Sequence, residues 1–281
     1  MQFWEILLDI ALDALLDTLK TLPFLFAAFL LMEFCEHHAQ GKINNMLSAR
    51  NGADVLFGAL LGLVPQCGFS AMAANLFAGG LISIGTLVAV FLSTSDEALL
   101  ILISAGEWLT ITKLIAVKLI VALAAGYIVT LLFKTRRHKD VHDLCRSCGC
   151  SDDSGIFKPA LRHTAKIFCI LLVFTFVLGL AVELIGQDRF ETIMLSGSIF
   201  QPFAASLLGL IPNCASSVIL TKLYLSGALS FGSLLAGLSV NSGVALIILF
   251  KQNRPVKENF LIVALTYGIA VGAGFVTQFI L

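Results

Sequence analysis

Charge is what this chain lacks. Only 13% of its 281 residues are Asp, Glu, Lys or Arg, while 58% are hydrophobic and the mean hydropathy is +0.95. A soluble domain carries about 25% charged and 45–50% apolar residues. The deficit argues against a soluble globular enzyme, and the apolar content excludes a disordered chain. The few charges cancel, with 18 basic against 18 acidic, which argues against a general nucleic-acid binder. The nucleotide-binding pattern GxxxxGK[ST] is missing, as are HExxH and GxSxG. An ATP-driven pump within this chain and an intramembrane enzyme are therefore disfavoured. The segment Met1-Gln2-Phe3-Trp4-Glu5 has no basic n-region, so the first helix is expected to insert uncleaved. The cysteines do not form a disulfide framework. Cys145, Cys148 and Cys150 share one polar loop, and Cys35, Cys67, Cys169 and Cys214 sit in apolar segments.

What remains is a polytopic, all-α membrane protein. Apolar stretches occupy 19–36, 53–78, 81–104, 110–133, 160–186, 195–226, 229–250 and 257–281. One long polar insert, 134–159, separates residues 1–133 from residues 160–281. The two halves resemble each other. Residues 61–102 align without gaps on 208–249, and 17 of the 42 positions are identical, among them Pro65/Pro212, Cys67/Cys214, Ser70/Ser217, Gly85/Gly232 and Ser95/Ser242.

The basic residues set the orientation. Thirteen of the 18 fall in 37–52, 134–166 and 251–258, which are therefore expected to be cytoplasmic. Three apolar segments lie between 37–52 and 134, and three crossings would end on the wrong side. The segment 53–78 is broken at Val64-Pro65-Gln66-Cys67-Gly68 into pieces too short to span, because a spanning helix needs about 20 residues and Pro interrupts the ladder. It is expected to be a re-entrant hairpin entering from the cytoplasm. The segment 195–226, broken at Ile211-Pro212-Asn213-Cys214, is expected to be its counterpart from outside. Each half then has three crossings and one hairpin, five plus five helices, and the odd number of crossings makes the repeat inverted. Residues 3–18 fit either an interfacial helix or an additional span. Asp9, Asp13 and Asp17 form one acidic stripe on that helix, which reads as a solvated face or as a cation-attracting vestibule.

Four groups of residues could carry chemistry. At the hairpin tips, unwound backbone joins Gln66, Cys67 and Ser70 in one half and Asn213, Cys214 and Ser217 in the other. The plain alternative is a capped tight turn. In the middle of 81–104 lies Ser93-Thr94-Ser95-Asp96-Glu97. Acidic residues at that depth are expensive and functional by default. Asp96 and Glu97 could ligate a cation, with Thr94 and Ser95 alongside, or could bind protons. The plain alternative is structural pairing with Lys113 or Lys118. The matching segment of the second half, Asn241-Ser242-Gly243, is polar but uncharged, so the site is chemically lopsided. Glu33 and Glu183 could flank the two mouths of a pathway, or simply end helices at the interface. Finally, His138, His142, Cys145, Cys148 and Cys150 have the spacing of a Zn²⁺ site, where the plain alternative is a reduced linker.

At these residues the sequence resembles a known family, the ten-helix heavy-metal exporters, also described as manganese transporters and distantly similar to arsenic permeases. The resemblance rests on Gly62-Leu63-Val64-Pro65-Gln66-Cys67-Gly68-Phe69-Ser70, Ser93-Thr94-Ser95-Asp96-Glu97-Ala98 and Gly209-Leu210-Ile211-Pro212-Asn213-Cys214-Ala215-Ser216-Ser217, with Asn241-Ser242-Gly243 and the following apolar run to Lys251. It covers nearly the whole chain. It implies a multi-pass permease of a prokaryotic inner membrane that moves metal ions outward and needs no resident cofactor. Oxygen ligands from Asp96, Glu97, Gln66 and Asn213 suit Mn²⁺, whereas Cys67 and Cys214 suit softer ions. The leading expectation is a secondary-active metal exporter, coupled to H⁺ or Na⁺. The alternative is an ion-coupled permease for an oxyanion, an arsenical or a small organic substrate. The apolar faces leave room for a homodimer.

Overall fold

The computed structural model describes residues 52–64, 67–80, 82–95, 97–133, 198–212 and 214–280, with single helical positions between 8 and 30 and between 157 and 180. Among the described residues the chain is helical and has no strand. Ten helices follow one another: α1 (Ala53–Gly62), α2 (Cys67–Ala78), α3 (Ile84–Ser93), α4 (Ala98–Ser104), α5 (Trp108–Leu132), α6 (Gln201–Gly209), α7 (Cys214–Leu225), α8 (Phe231–Val240), α9 (Ala245–Gln252) and α10 (Val256–Ile280). Most residues of the expected first spans of each half, 19–36 and 160–186, and all of the loop 134–159 but residue 157 lie outside the described residues.

The boundaries recur at an offset of 147 residues for α2/α7 and α3/α8, and the chemistry that sets them recurs too. Ser83 caps α3 by accepting from the Thr86 amide at 3.0 Å, and Ser230 caps α8 by accepting from the Ser233 amide at 3.3 Å, each satisfying an otherwise orphaned first-turn donor. The Thr86 hydroxyl then donates to Asp54 of α1, and the Ser233 hydroxyl to Gln201 of α6. After α2 and α7 the chain turns at Gly80 and Gly227, with φ of 76° and 80°, the left-handed conformation in which a helix commonly stops on glycine.

Length sorts the helices. α5 and α10 have 25 residues each and, at about 1.5 Å per residue, exceed a hydrocarbon core of about 30 Å. The runs Ile84–Ser104 and Phe231–Gln252 are also long and apolar enough to cross, giving four candidate spans among the described residues. Burial separates these into two kinds. In Ile84–Ser104 and Phe231–Gln252, 76% and 89% of the window is buried, against 33% and 28% in α5 and α10. The first pair is largely enclosed, and the second pair presents an apolar outer face. α1, α2, α6 and α7 have 10, 12, 9 and 12 residues, roughly half of a spanning length.

Each enclosed run is interrupted. A continuous helix is the natural reading of 81–104, but α3 ends at Ser93 and α4 restarts at Ala98. Likewise α8 ends at Val240 and α9 restarts at Ala245. At these interruptions the chain passes between two hydrophobic clusters. One cluster joins α1, α2 and α3 to α9 and parts of α5 and α10. The other joins α6, α7 and most of α8 to α4 and the first turns of α5. So α4 packs into the core of the second half, and α9 into the core of the first. The short helices follow the same exchange: α2 packs chiefly on α9, and α1 on α3. α1 and α2 therefore separate rather than lying against each other.

Close backbone approach fixes the packing of α3 on α5 and of α8 on α10. A side chain at Gly85 would strike the Gly126 carbonyl and the Thr130 hydroxyl, and one at Gly232 would strike the Gly274 carbonyl and Gln278. Small residues at such crossings let apolar helices gain contact where no hydrophobic drive exists. Gly232→Val should therefore destabilise the fold by about 1–3 kcal/mol through overpacking. Gly268→Val on the exposed face of α10, where an added carbon meets nothing within 4 Å, should not. Melting temperatures of the two purified variants in detergent check the contrast.

Candidate functional site

The two interruptions have a local cause that needs no proline. At the end of α3 the Ser93 and Thr94 hydroxyls both donate to the Val90 carbonyl, at 3.1 and 2.7 Å, and the Ser95 hydroxyl donates to the Ser93 carbonyl at 3.4 Å. Such side chains compete with the helical ladder for its own acceptors. Thr94 then turns to an extended conformation, φ −58° and ψ 131°. At the end of α8, Asn241 turns out of the helix with ψ 94°. Its side-chain carbonyl accepts from the Gly243 amide at 3.1 Å, and Gly243 has φ 54°, a conformation that favours glycine. Thr94, Ser95, Asn241 and Ser242 are all buried.

Lys118 joins the two interruptions. It lies in α5, fully buried. Its ammonium donates to the Thr94 carbonyl, to the Ser95 hydroxyl at 3.2 Å, and to the Leu238 carbonyl of α8 at 2.9 Å. An ammonium buried in an apolar interior is tolerated only when hydrogen-bonded. Helix ends supply the acceptors, because their last carbonyls have no intrahelical partner. A second link runs in the same direction. The buried Ser70 hydroxyl of α2 donates to the Ser242 carbonyl at 3.3 Å. The first half thus reaches the broken span of the second at two points.

Some buried polar side-chain atoms have no partner among the described residues. The Asn241 side-chain nitrogen and the Ser242 hydroxyl are buried and unbonded, as is the side-chain oxygen of Asn75 in α2. Leaving such a group unsatisfied costs about 1–3 kcal/mol, so these atoms mark a place where an occupant would be welcome. Asn241 cannot be relieved by exchanging its oxygen and nitrogen, because its oxygen already serves Gly243.

The expected site residues distribute as follows. Thr94 and Ser95 meet at Lys118, Ser70 meets Ser242, and Asn241 folds onto Gly243 beside Ser242. Glu97 is half-buried at the start of α4. Ser217 is buried in α7, and its carbonyl accepts from Thr221 at 2.7 Å. Gln66, Asp96 and Asn213, the side chains of Cys67 and Cys214, and Glu33, Glu183, His138, His142, Cys145, Cys148 and Cys150 lie outside the described residues. So do Asp9, Asp13 and Asp17. Among the described residues no group of three or more His, Cys, Asp and Glu side chains gathers. Beside Pro212 an open groove of about 550 Å³ is lined by Leu210, Leu246, Ile247, Phe250, Lys251, Phe260 and Val263. Its walls are too apolar to ligate an ion.

Sequence reasoning weighed Lys118 only as one of two structural partners for the acidic pair, and passed over Asn75 altogether. The signal was available in both cases. Lys118 is the one charge inside Leu114–Leu132, and Asn75 the one amide inside α2. Lys113, the other lysine considered, is exposed.

Comparison with known proteins returns one family. The family model described as "Putative, 10TM heavy-metal exporter" matches residues 4–196 and 183–280. No curated protein and no solved structure matches the chain. The family match spans nearly the full length, including both interrupted helices and the segments between them, and the chain belongs to this family of ten-helix heavy-metal exporters.

Proposed function

We propose that the chain is a secondary-active exporter of divalent or heavy-metal ions, with Mn²⁺ the leading substrate, and that it works by alternating access. The ion binds between the two interrupted helices. Asp96 and Glu97 supply the charge, and Thr94, Ser95, Asn241 and Ser242 supply neutral oxygens. Gln66, Cys67 and Ser70 from one short-helix tip, and Asn213, Cys214 and Ser217 from the other, complete or gate the site. The single observation that carries this reading is a pair of buried, unwound segments at matching positions of the two halves, with Lys118 bridging the first to the last turns of α8 and Ser70 of α2 bonded to the second. Non-helical backbone in an apolar interior is tolerated where it is protein-buried or lines a cavity, and transporter sites are commonly built there.

The same reading makes the two halves an inverted repeat and makes α1–α2 and α6–α7 re-entrant pairs entering from opposite faces. The recurrence of element boundaries and caps supports it. So does the shortness of these four helices. The basic residues put 134–159 on the cytoplasmic side of a prokaryotic inner membrane. That loop would hold Zn²⁺ through His138, His142, Cys145, Cys148 and Cys150. H⁺ or Na⁺ would be the coupling ion, and a second copy would cover part of the apolar outer face.

One observation favours the alternative substrate class. The unbonded Asn241 nitrogen is a donor, and Lys118 is a cation, so an oxyanion or arsenical would also find partners here. A metal panel separates the two. Cells lacking their own exporters should gain tolerance to Mn²⁺, or to Zn²⁺, Cd²⁺ or Fe²⁺, on expression of this chain, and Asp96→Asn should abolish the gain. Protection against arsenite alone, unaffected by Asp96→Asn, would establish the alternative.

A second prediction concerns the orphaned hydroxyl. Ser242→Ala removes a buried group that has no protein partner, so the melting temperature should stay the same or rise, while metal efflux falls. A loss of stability would show that the hydroxyl has a structural role.

A further inference from the structure

Lys118 sits where the proposed site needs negative charge and neutral oxygen. α3, α4 and α8, which pack against α5, carry no charged residue. Asp96 and Glu97, between α3 and α4, are the acidic residues adjoining its partners in sequence. Among the groups that hold the ammonium are the Thr94 carbonyl, the Ser95 hydroxyl and the Leu238 carbonyl. These are hard, neutral acceptors of the kind that ligate a metal cation. Two of them belong to the interruption in the first half, and the third to the last turns of α8 in the second.

We propose that the Lys118 ammonium is a resident cation that holds these oxygens when no transported ion is bound, straps the two halves together, and must be displaced by the transported ion. Resting on the reading of the chain as a metal exporter, this assigns Lys118 a positioning role. A metal ion and the ammonium cannot share these oxygens, because both are positive and the acceptors have few lone pairs to offer. Loading the site therefore releases the contact to Leu238, and with it one bond that holds α8 against α5. Unloading lets the ammonium return. The tether keeps a positive charge beside the string that carries Asp96 and Glu97 through the metal-free part of the cycle.

The competition has a signature that a structural strut lacks. Removing the ammonium removes a competitor, so Lys118→Gln and Lys118→Met should bind metal more tightly than the unaltered chain. The gain should be about tenfold or more, in line with the strength of close buried charge pairs. The same variants should turn over more slowly, because the empty state is no longer stabilised. KM and kcat should fall together. Lys118→Arg keeps the charge and should keep an affinity near that of the unaltered chain. The measurement is Mn²⁺ and Cd²⁺ binding by titration calorimetry on purified full-length protein, with efflux from proteoliposomes. If the unaltered chain binds and moves none of the metals, the exporter reading fails and takes this inference with it. If the unaltered chain binds metal and the neutral variants bind no more tightly, only the role of Lys118 is overturned. Failure of both neutral variants to fold, with Lys118→Arg intact, would make the ammonium a structural strut and overturn the competition equally.

Discussion

A lysine ammonium with no access to solvent is the constraint on which the centre of this molecule depends. Taking a charge out of water costs several kcal/mol even after relaxation, and the cost is offset only by well-placed acceptors. The two interrupted helices supply them. The Thr94 carbonyl is available because Ser93, Thr94 and Ser95 draw the chain out of the helix. The Leu238 carbonyl is available because α8 stops two residues later. The dependence runs both ways. A helix that ends inside an apolar core leaves carbonyls orphaned, and the ammonium satisfies two of them. Neither the lysine nor the interruptions would be tolerable alone.

The interruptions also organise the cores. Because the chain crosses from one hydrophobic cluster to the other at 94–97 and again at 241–244, each cluster contains helices from both halves. Two independent bundles would slide past each other freely. Here α4 and α9 are interlocked, so relative motion of the halves has to be taken up at the unwound segments, where the backbone is already out of the helical ladder. The outer faces of α5 and α10 face a different task. They are apolar without being packed, as lipid-facing helices must be, and they can stay in place while the enclosed runs rearrange.

Much of this frame was legible in the sequence. The offset between Pro65 and Pro212 located the short helices. The shortness of the apolar runs on either side of those prolines showed that they could not each span. The string Ser93–Glu97 marked the first centre, and its match in the second half marked Asn241 and Ser242. Two things were not legible. The interruption at 94–97 has no proline and no glycine. It arises from hydroxyls bonding their own last turn and from a lysine 24 residues away, and no periodic pattern records a contact of that kind. The separation of α1 from α2 was also hidden, because local sequence shows that a chain turns back but not which helix each arm then packs against.

The departures from internal symmetry say the most about the centre. Backbone, caps and glycine contacts recur between the halves, yet the charges do not. Asp96 corresponds to Gly243 and Glu97 to Val244. Lys118 corresponds to Thr266, whose hydroxyl bonds the Ile262 carbonyl of its own helix at 2.8 Å and reaches no other element. A purely structural role would be expected to recur with the structure, since both interruptions leave carbonyls to satisfy. The second half instead satisfies its needs with neutral groups, an asparagine side chain folded onto Gly243 and a serine from α2. Charge of both signs is concentrated in one half, against a neutral, partly unbonded counterpart. Such a centre is asymmetric in charge within a frame whose backbone is nearly symmetric.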